Sequence, residues 1–207
     1  MCSGRITLAA VSSMVCSVVH GQVFTIWTEA PATVEQGGTY TVEFWAKIEG
    51  LPFIQGQSAI AGFGIGGFAT DGRERVVTNH GTVFPNWVGF RTYGTVDGPD
   101  VIGVSGGQLA NLFGAPPWAD QSNPIMLFQF DVTVGDILGG VTYTPGDPHP
   151  LGGLSFYPHV NDGFSIVAPN NPGTSLVFVG ATTNVIPGPG AVSVLLLAGL
   201  TGFRRKR

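Results

Sequence analysis

IMLFQFDVTV, residues 125–134, alternates apolar and polar side chains. Met126, Phe128, Phe130, Val132 and Val134 fall on one side of an extended chain, and Gln129, Asp131 and Thr133 on the other. Successive side chains of a strand point to opposite faces, so the pattern predicts a strand with one buried face. Gly135-Asp136 supplies a turn, and residues 138–144 return as a further strand.

Working outward, residues 39–48 repeat the pattern after the turn Gln36-Gly37-Gly38. Tyr40, Val42, Phe44, Ala46 and Ile48 share one face; Thr39, Thr41, Glu43 and Lys47 take the other, and Trp45 stands among these polar residues. Residues 58–68 are apolar but full of glycine, which predicts a strand packed closely against a neighbour. Shorter runs at 23–28, 75–78, 87–96, 101–104, 155–157, 164–167 and 175–182 complete the set. The turn-rich stretch 145–173 reads as long loops carrying short edge strands. A helical turn is expected only at 108–113, ended by Pro116-Pro117. With no helical periodicity elsewhere, residues 22–184 are predicted to form an all-β, antiparallel β-sandwich.

Composition supports short strands and many turns. Gly and Pro number 32 and 15 of 207 residues, and charged residues are 11% of the chain against roughly 25% in ordinary domains. Within 22–184 only Lys47, Arg73, Arg75 and Arg91 oppose thirteen carboxylates, a net charge of −9. A body so acidic repels phosphate backbones and excludes nucleic acid as a partner.

The two ends read as addresses. Residues 1–21 carry Arg5, an apolar run over 6–19 and small residues before Gln22, the order of a cleavable signal peptide that begins as a helix. Cys2 and Cys16 both fall inside it, so a mature body has no disulfide and no thiolate metal site. At residues 185–207, Pro187-Gly188-Pro189 precedes AVSVLLLAGLTGF (191–203) and Arg204-Arg205-Lys206-Arg207. Thirteen residues as a helix rise about 20 Å, short of the ~30 Å hydrocarbon core. The basic cluster would hold such a short transmembrane helix at the cytoplasmic face.

This order resembles the PEP-CTERM sorting tail of exported bacterial proteins, although Gly188 stands where Glu is common between the prolines. The resemblance implies an exosortase-type processing enzyme, transient inner-membrane association and a bacterium that makes extracellular polysaccharide. The body segments EQGGTYTVEFWAKI, AIAGFGIGGF and IMLFQFDVTVGDILGGVTYT are similar in pattern to the cohesin-type jelly-roll sandwich of cell-surface proteins, which implies a sandwich and names no partner.

Candidate chemistry is thin. Gly103-Val104-Ser105-Gly106-Gly107 matches G-x-S-x-G, but a nucleophile elbow needs a following helix. Gly62 to Gly67 match G-x-G-x-x-G, yet lead into a turn instead of a phosphate-binding helix; those glycines are expected to admit a close sheet or a covering aromatic. His80, His149 and His159 lack metal-site spacing. Asp97, Asp100, Asp147 and Asp162 lie in turns where calcium could find oxygens. Trp27, Trp45, Trp87 and Trp118 could stack on sugars, Trp45 foremost because of its polar-face position. The expectation is a non-catalytic, exported cell-surface or matrix protein without a required cofactor, its partners surface proteins or polysaccharide. The alternative is a glycan- or calcium-binding module, marked by Trp45 and an acidic loop converging on one groove.

Overall fold

The computed structural model describes residues 21–71, 75–82, 90–111, 116, 118–150, 152–162 and 165–188. The expected signal helix and C-terminal hydrophobic helix lie outside the described residues. Twelve strands follow in chain order: β1 (Gln22–Glu29), β2 (Thr33–Glu35), β3 (Thr39–Glu49), β4 (Ala59–Ala69), β5 (Arg75–Thr82), β6 (Phe90–Asp97), β7 (Asp100–Gly107), β8 (Ile125–Val134), β9 (Gly139–Gly146), β10 (Leu154–Tyr157), β11 (Thr174–Val179) and β12 (Ala181–Ile186). One sheet has the order β11-β1-β3-β8-β5. The other runs β2-β12-β9-β4-β7-β6, with β10 also paired to β4.

The inner faces of these sheets meet as the alternation predicted. Tyr40, Val42, Phe44, Ala46 and Ile48 of β3 are all buried, as are Phe128, Phe130, Val132 and Val134 of β8. Across the interface Phe63 stacks on Phe128 with centroids 6.1 Å apart, and Phe130 meets Tyr143 edge-on at 5.3 Å. The glycine-rich strand β4 packs closely, as its composition implied: a methyl group added at Gly67 would come within 2.6 Å of Phe44 Cζ.

Several details differ from the sequence reading. Met126 does not share the buried face; Ile125 and Leu127 take it instead. Phe44 faces Phe128 while Trp45 faces Met126, so Leu127 is the extra residue of a β-bulge, and the alternation changes phase there. The run 175–182 is two strands, not one. β11 ends at Val179 in one sheet and β12 begins at Ala181 in the other, so the sandwich is not wholly antiparallel: β1 pairs β11, and β2 pairs β12, in parallel. A methyl on Gly180, between them, would lie 2.5 Å from Thr144 Oγ1 and 2.8 Å from Tyr143 O, so glycine is what lets the crossing chain pass β9.

Of the helical turn expected at 108–113, residues 108–111 form none, and 112 and 113 lie outside the described residues. Gln108 N–H continues the ladder to Ala61 O at 2.9 Å, and its buried amide bonds Ile60 O, Asp120 O and Asp120 N–H, which clips the chain to β4. Of the run 164–167, the described residues 165–167 contribute a single bridge, Val167 to Phe156. β12 carries pairing through Ile186, past the expected body boundary at 184.

Three tyrosines give the fold a pH limit. Burial pushes the Tyr143 phenol far above its ordinary value, with Tyr40 adding to the effect, and burial also raises Tyr40 and Tyr157. A raised folded pKa means the folded state holds the proton more tightly. The contribution is therefore complete below the unfolded pKa of about 10 and is lost as pH climbs beyond it. The melting temperature should hold level up to about pH 10 and fall steeply above it, with the phenolate absorbance of these residues appearing together with unfolding. Phenolate titrating fully below the unfolding transition would contradict their burial.

Candidate functional site

On the outer face of the β11-β1-β3-β8-β5 sheet, Trp27 of β1 lies directly opposite Trp45 of β3. Their ring centroids are 6.4 Å apart with planes 19° from parallel. Face-on indoles would approach much closer, so the rings are offset and each leaves part of its face open. Each indole is oriented from its own strand. Trp27 Nε1–H donates to Glu29 Oε1 at 2.8 Å, and Trp45 Nε1–H to Glu43 Oε2 at 3.0 Å. The period of two along a strand puts each carboxylate on the same side as its tryptophan.

Register extends the pair into a row across four strands: Met126, Trp45, Trp27, Val179. Met126 belongs to it only because the bulge at Leu127 re-aims the preceding residues. One flank is polar and acidic, with Glu29, Glu43 and Gln129 aligned across the same strands. The other flank aligns Lys47 and Thr25 with exposed Val177, and Lys47 Nζ pairs with Glu49 at 2.7 Å. The result is an apolar strip about one side chain wide, edged by carboxylates, an ammonium and a hydroxyl.

A groove of about 560 Å³ lies on the other sheet. Its floor brings the two glycine motifs together, since Gly62 pairs with Gly107 and Gly64 with Ser105, while His149 and Ile166 stand at its sides. Ser105 lies within β7, and the described residues 106–111 that follow it form no helix, which is not the geometry of a nucleophile elbow. Gly62 to Gly67 likewise stay within β4; Gly67 admits the Phe44 ring and Gly66 is covered by that of Phe68, the close-approach role expected of them.

The remaining candidates are dispersed. His80 lies in β5, His149 beside the groove and His159 in the loop after β10. Asp97 and Asp100 close the β6–β7 hairpin, where Asp100 Oδ1 accepts the Ala69 N–H at 2.8 Å. Asp147 occupies the left-handed region and Asp162 is exposed. Among the described residues no three His, Cys, Asp or Glu side chains gather as metal ligands. Among the described residues no acidic loop converges with Trp45 on a groove; the carboxylates beside it come from its own sheet. Trp118 is exposed and Trp87 lies outside the described residues. Pro187 and Gly188 follow β12 directly; Pro189, Arg204, Arg205, Lys206 and Arg207 lie outside the described residues.

No family model and no curated protein matches the chain. Among solved structures, it is similar to a cohesin module of a family 33 glycoside hydrolase from Clostridium perfringens, with 8% identity, 82% of this chain and 99% of that chain covered, and a TM-score of 0.48. CaCohA2 from Clostridium acetobutylicum, solved in solution, gives 10% identity, 78% and 90% coverage and a TM-score of 0.44. A crystal structure of a CaDoc0917–CaCohA2 complex gives 8%, 80%, 99% and 0.44. The sandwich described above stands on its own strand pairing.

Because both indoles are only half-buried and lie outside the core, Trp45→Ala should keep the fold. Urea denaturation should show a loss below about 2 kcal/mol, the scale of one aromatic pair plus partial burial. A loss comparable to deleting a core phenylalanine would mean that the pair is a structural keystone.

Proposed function

We propose that the chain is an exported, non-catalytic β-sandwich that works at the cell surface or in the extracellular matrix by holding a neutral polysaccharide against its Trp27–Trp45 face. The observation that carries this reading is the tryptophan pair within a four-strand row, edged by hydrogen-bonding side chains. The C–H faces of sugar rings pack on indoles, while their hydroxyls need acceptors and donors at the margin. Glu29, Glu43, Gln129, Thr25 and Lys47 are placed to serve. An open sheet face suits a long chain lying across it better than an enclosed small molecule. The neighbouring carboxylates and the net charge of −9 on the body disfavour an acidic polysaccharide.

In this proposal the two ends deliver the body. The leader takes the chain out of the cytoplasm, and residues 185–207 hold it in the inner membrane until an exosortase-type enzyme acts at Pro187-Gly188-Pro189. Arg204 to Arg207 serve as the cytoplasmic stop.

Native gels cast with a panel of neutral polysaccharides test the face. At least one should retard the purified protein, and each of Trp27→Ala and Trp45→Ala should weaken that affinity about tenfold, the worth of one well-placed ring. Retardation by acidic polysaccharides alone, or retardation unchanged in the double variant, would overturn it. The tail is tested separately by cell fractionation. With Pro187 and Pro189 both replaced by Ala, the protein should stay uncut in the membrane fraction. Arrival at the wild-type location and size would make the segment a plain anchor.

A further inference from the structure

The polar row Glu29, Glu43, Gln129 does not stop at β8. Gly81 of β5 pairs with Gln129, so the row runs on to the last strand of its sheet and ends at a residue without a side chain. Paired residues of an antiparallel ladder point to the same face, so a side chain at Gly81 would stand on the outer face beside Gln129. An aromatic ring already occupies that place. A methyl group added at Gly81 would come within 2.9 Å of Tyr93 Cδ1 and 3.4 Å of its Cε1. Tyr93 belongs to β6, the last strand of the opposite sheet, so its ring reaches from the edge of one sheet to the margin of the other's outer face.

We propose that Tyr93 is a further stacking residue of the polysaccharide face, and that this face takes an extended neutral chain and not a single sugar. The inference rests on the reading of the Trp27–Trp45 face given above.

Tyr93 is 53% exposed, so its ring has surface left to offer a ligand. Trp45 on β3 and Gly81 on β5 are two strand spacings apart, roughly 10 Å. One sugar ring cannot pack on both aromatics, whereas successive units of one chain can. Between them Met126 and Gln129 of β8 share the outer face, and the Gln129 amide has both a donor and an acceptor for hydroxyl groups. The next row along is closed to a ligand. Asn79 Nδ2–H donates to Asp131 Oδ2 at 2.7 Å, and Thr41 Oγ1–H to Asp131 Oδ1 at 2.7 Å, so those polar groups are turned to one another. The chain would therefore lie across the strands, from Trp27 and Trp45 to Tyr93.

Linear gluco-, manno- and xylo-oligosaccharides of graded length, titrated calorimetrically into the purified full chain, test the assignment. In at least one series affinity should step up once the oligomer reaches from Trp45 to Tyr93. Tyr93→Ala should lower affinity for the long oligomers about five- to tenfold and leave that for the shortest binding oligomer unchanged. Tyr93→Phe should keep the step, because the ring remains. Gly81→Ala should imitate Tyr93→Ala, since its methyl displaces the ring while every aromatic is retained. Tryptophan-dependent binding in which Tyr93→Ala equals wild type at every length would overturn this inference alone. Binding by none of the series, or binding indifferent to Trp27→Ala and Trp45→Ala, would overturn the reading of the face and this inference with it.

Discussion

The ring of Phe44 lies so close beneath Gly67 that no side chain fits between the two sheets at that point. Phe44 also stacks on Phe128 at 4.2 Å and touches Phe130 at 5.6 Å, so one ring ties β3 to its neighbour β8 and presses both against β4. Phe63 on Phe128, Phe130 on Tyr143 and Phe24 on Phe156 continue the same contact along the interface. At Gly67 the missing side chain on one sheet makes room for the Phe44 ring of the other. This arrangement commits each inner face, and in doing so fixes which residues are left to point outward.

The outward residues therefore inherit their positions from the core. Trp27 and Trp45 face solvent because Ile26, Thr28, Phe44 and Ala46 face inward. Met126 joins them because the bulge keeps both Leu127 and Phe128 in the core, so the strand changes phase and turns the thioether out. An irregularity that serves packing on one side thus completes an apolar row on the other. The same sandwich carries a glycine-floored groove on its second sheet, but only the tryptophan row combines open indole faces with flanking carboxylates.

How much of this was legible in the sequence follows from the range of each interaction. The alternation in β3 and the C-terminal half of β8 is local, so the buried faces there could be read directly. The close-packing role of Gly67 was legible in kind, though not its partner. The bulge at Leu127 was hidden because IMLF offers apolar residues in both phases, and only the pairing of Phe44 with Phe128 chooses one. The switch at Gly180 was hidden for a similar reason: SLVFVGAT reads as one strand until Tyr143 and Thr144 are known to lie against it. Trp45 stood out by its place among polar residues, but Trp27 could be joined to it only through register between strands. The helical turn expected from Gln108 does not form over 108–111 because a buried glutamine bonding three backbone groups overrode local propensity.

Whether the tryptophan face is the working face is tested most directly by following indole N–H resonances in ¹H–¹⁵N spectra while a neutral oligosaccharide is added. The account predicts that the Trp27 and Trp45 signals shift together with one dissociation constant, while the Trp118 signal and the amides of Gly64 and Ser105 in the groove stay in place. Shifts confined to the groove, with both indoles unmoved, would contradict it.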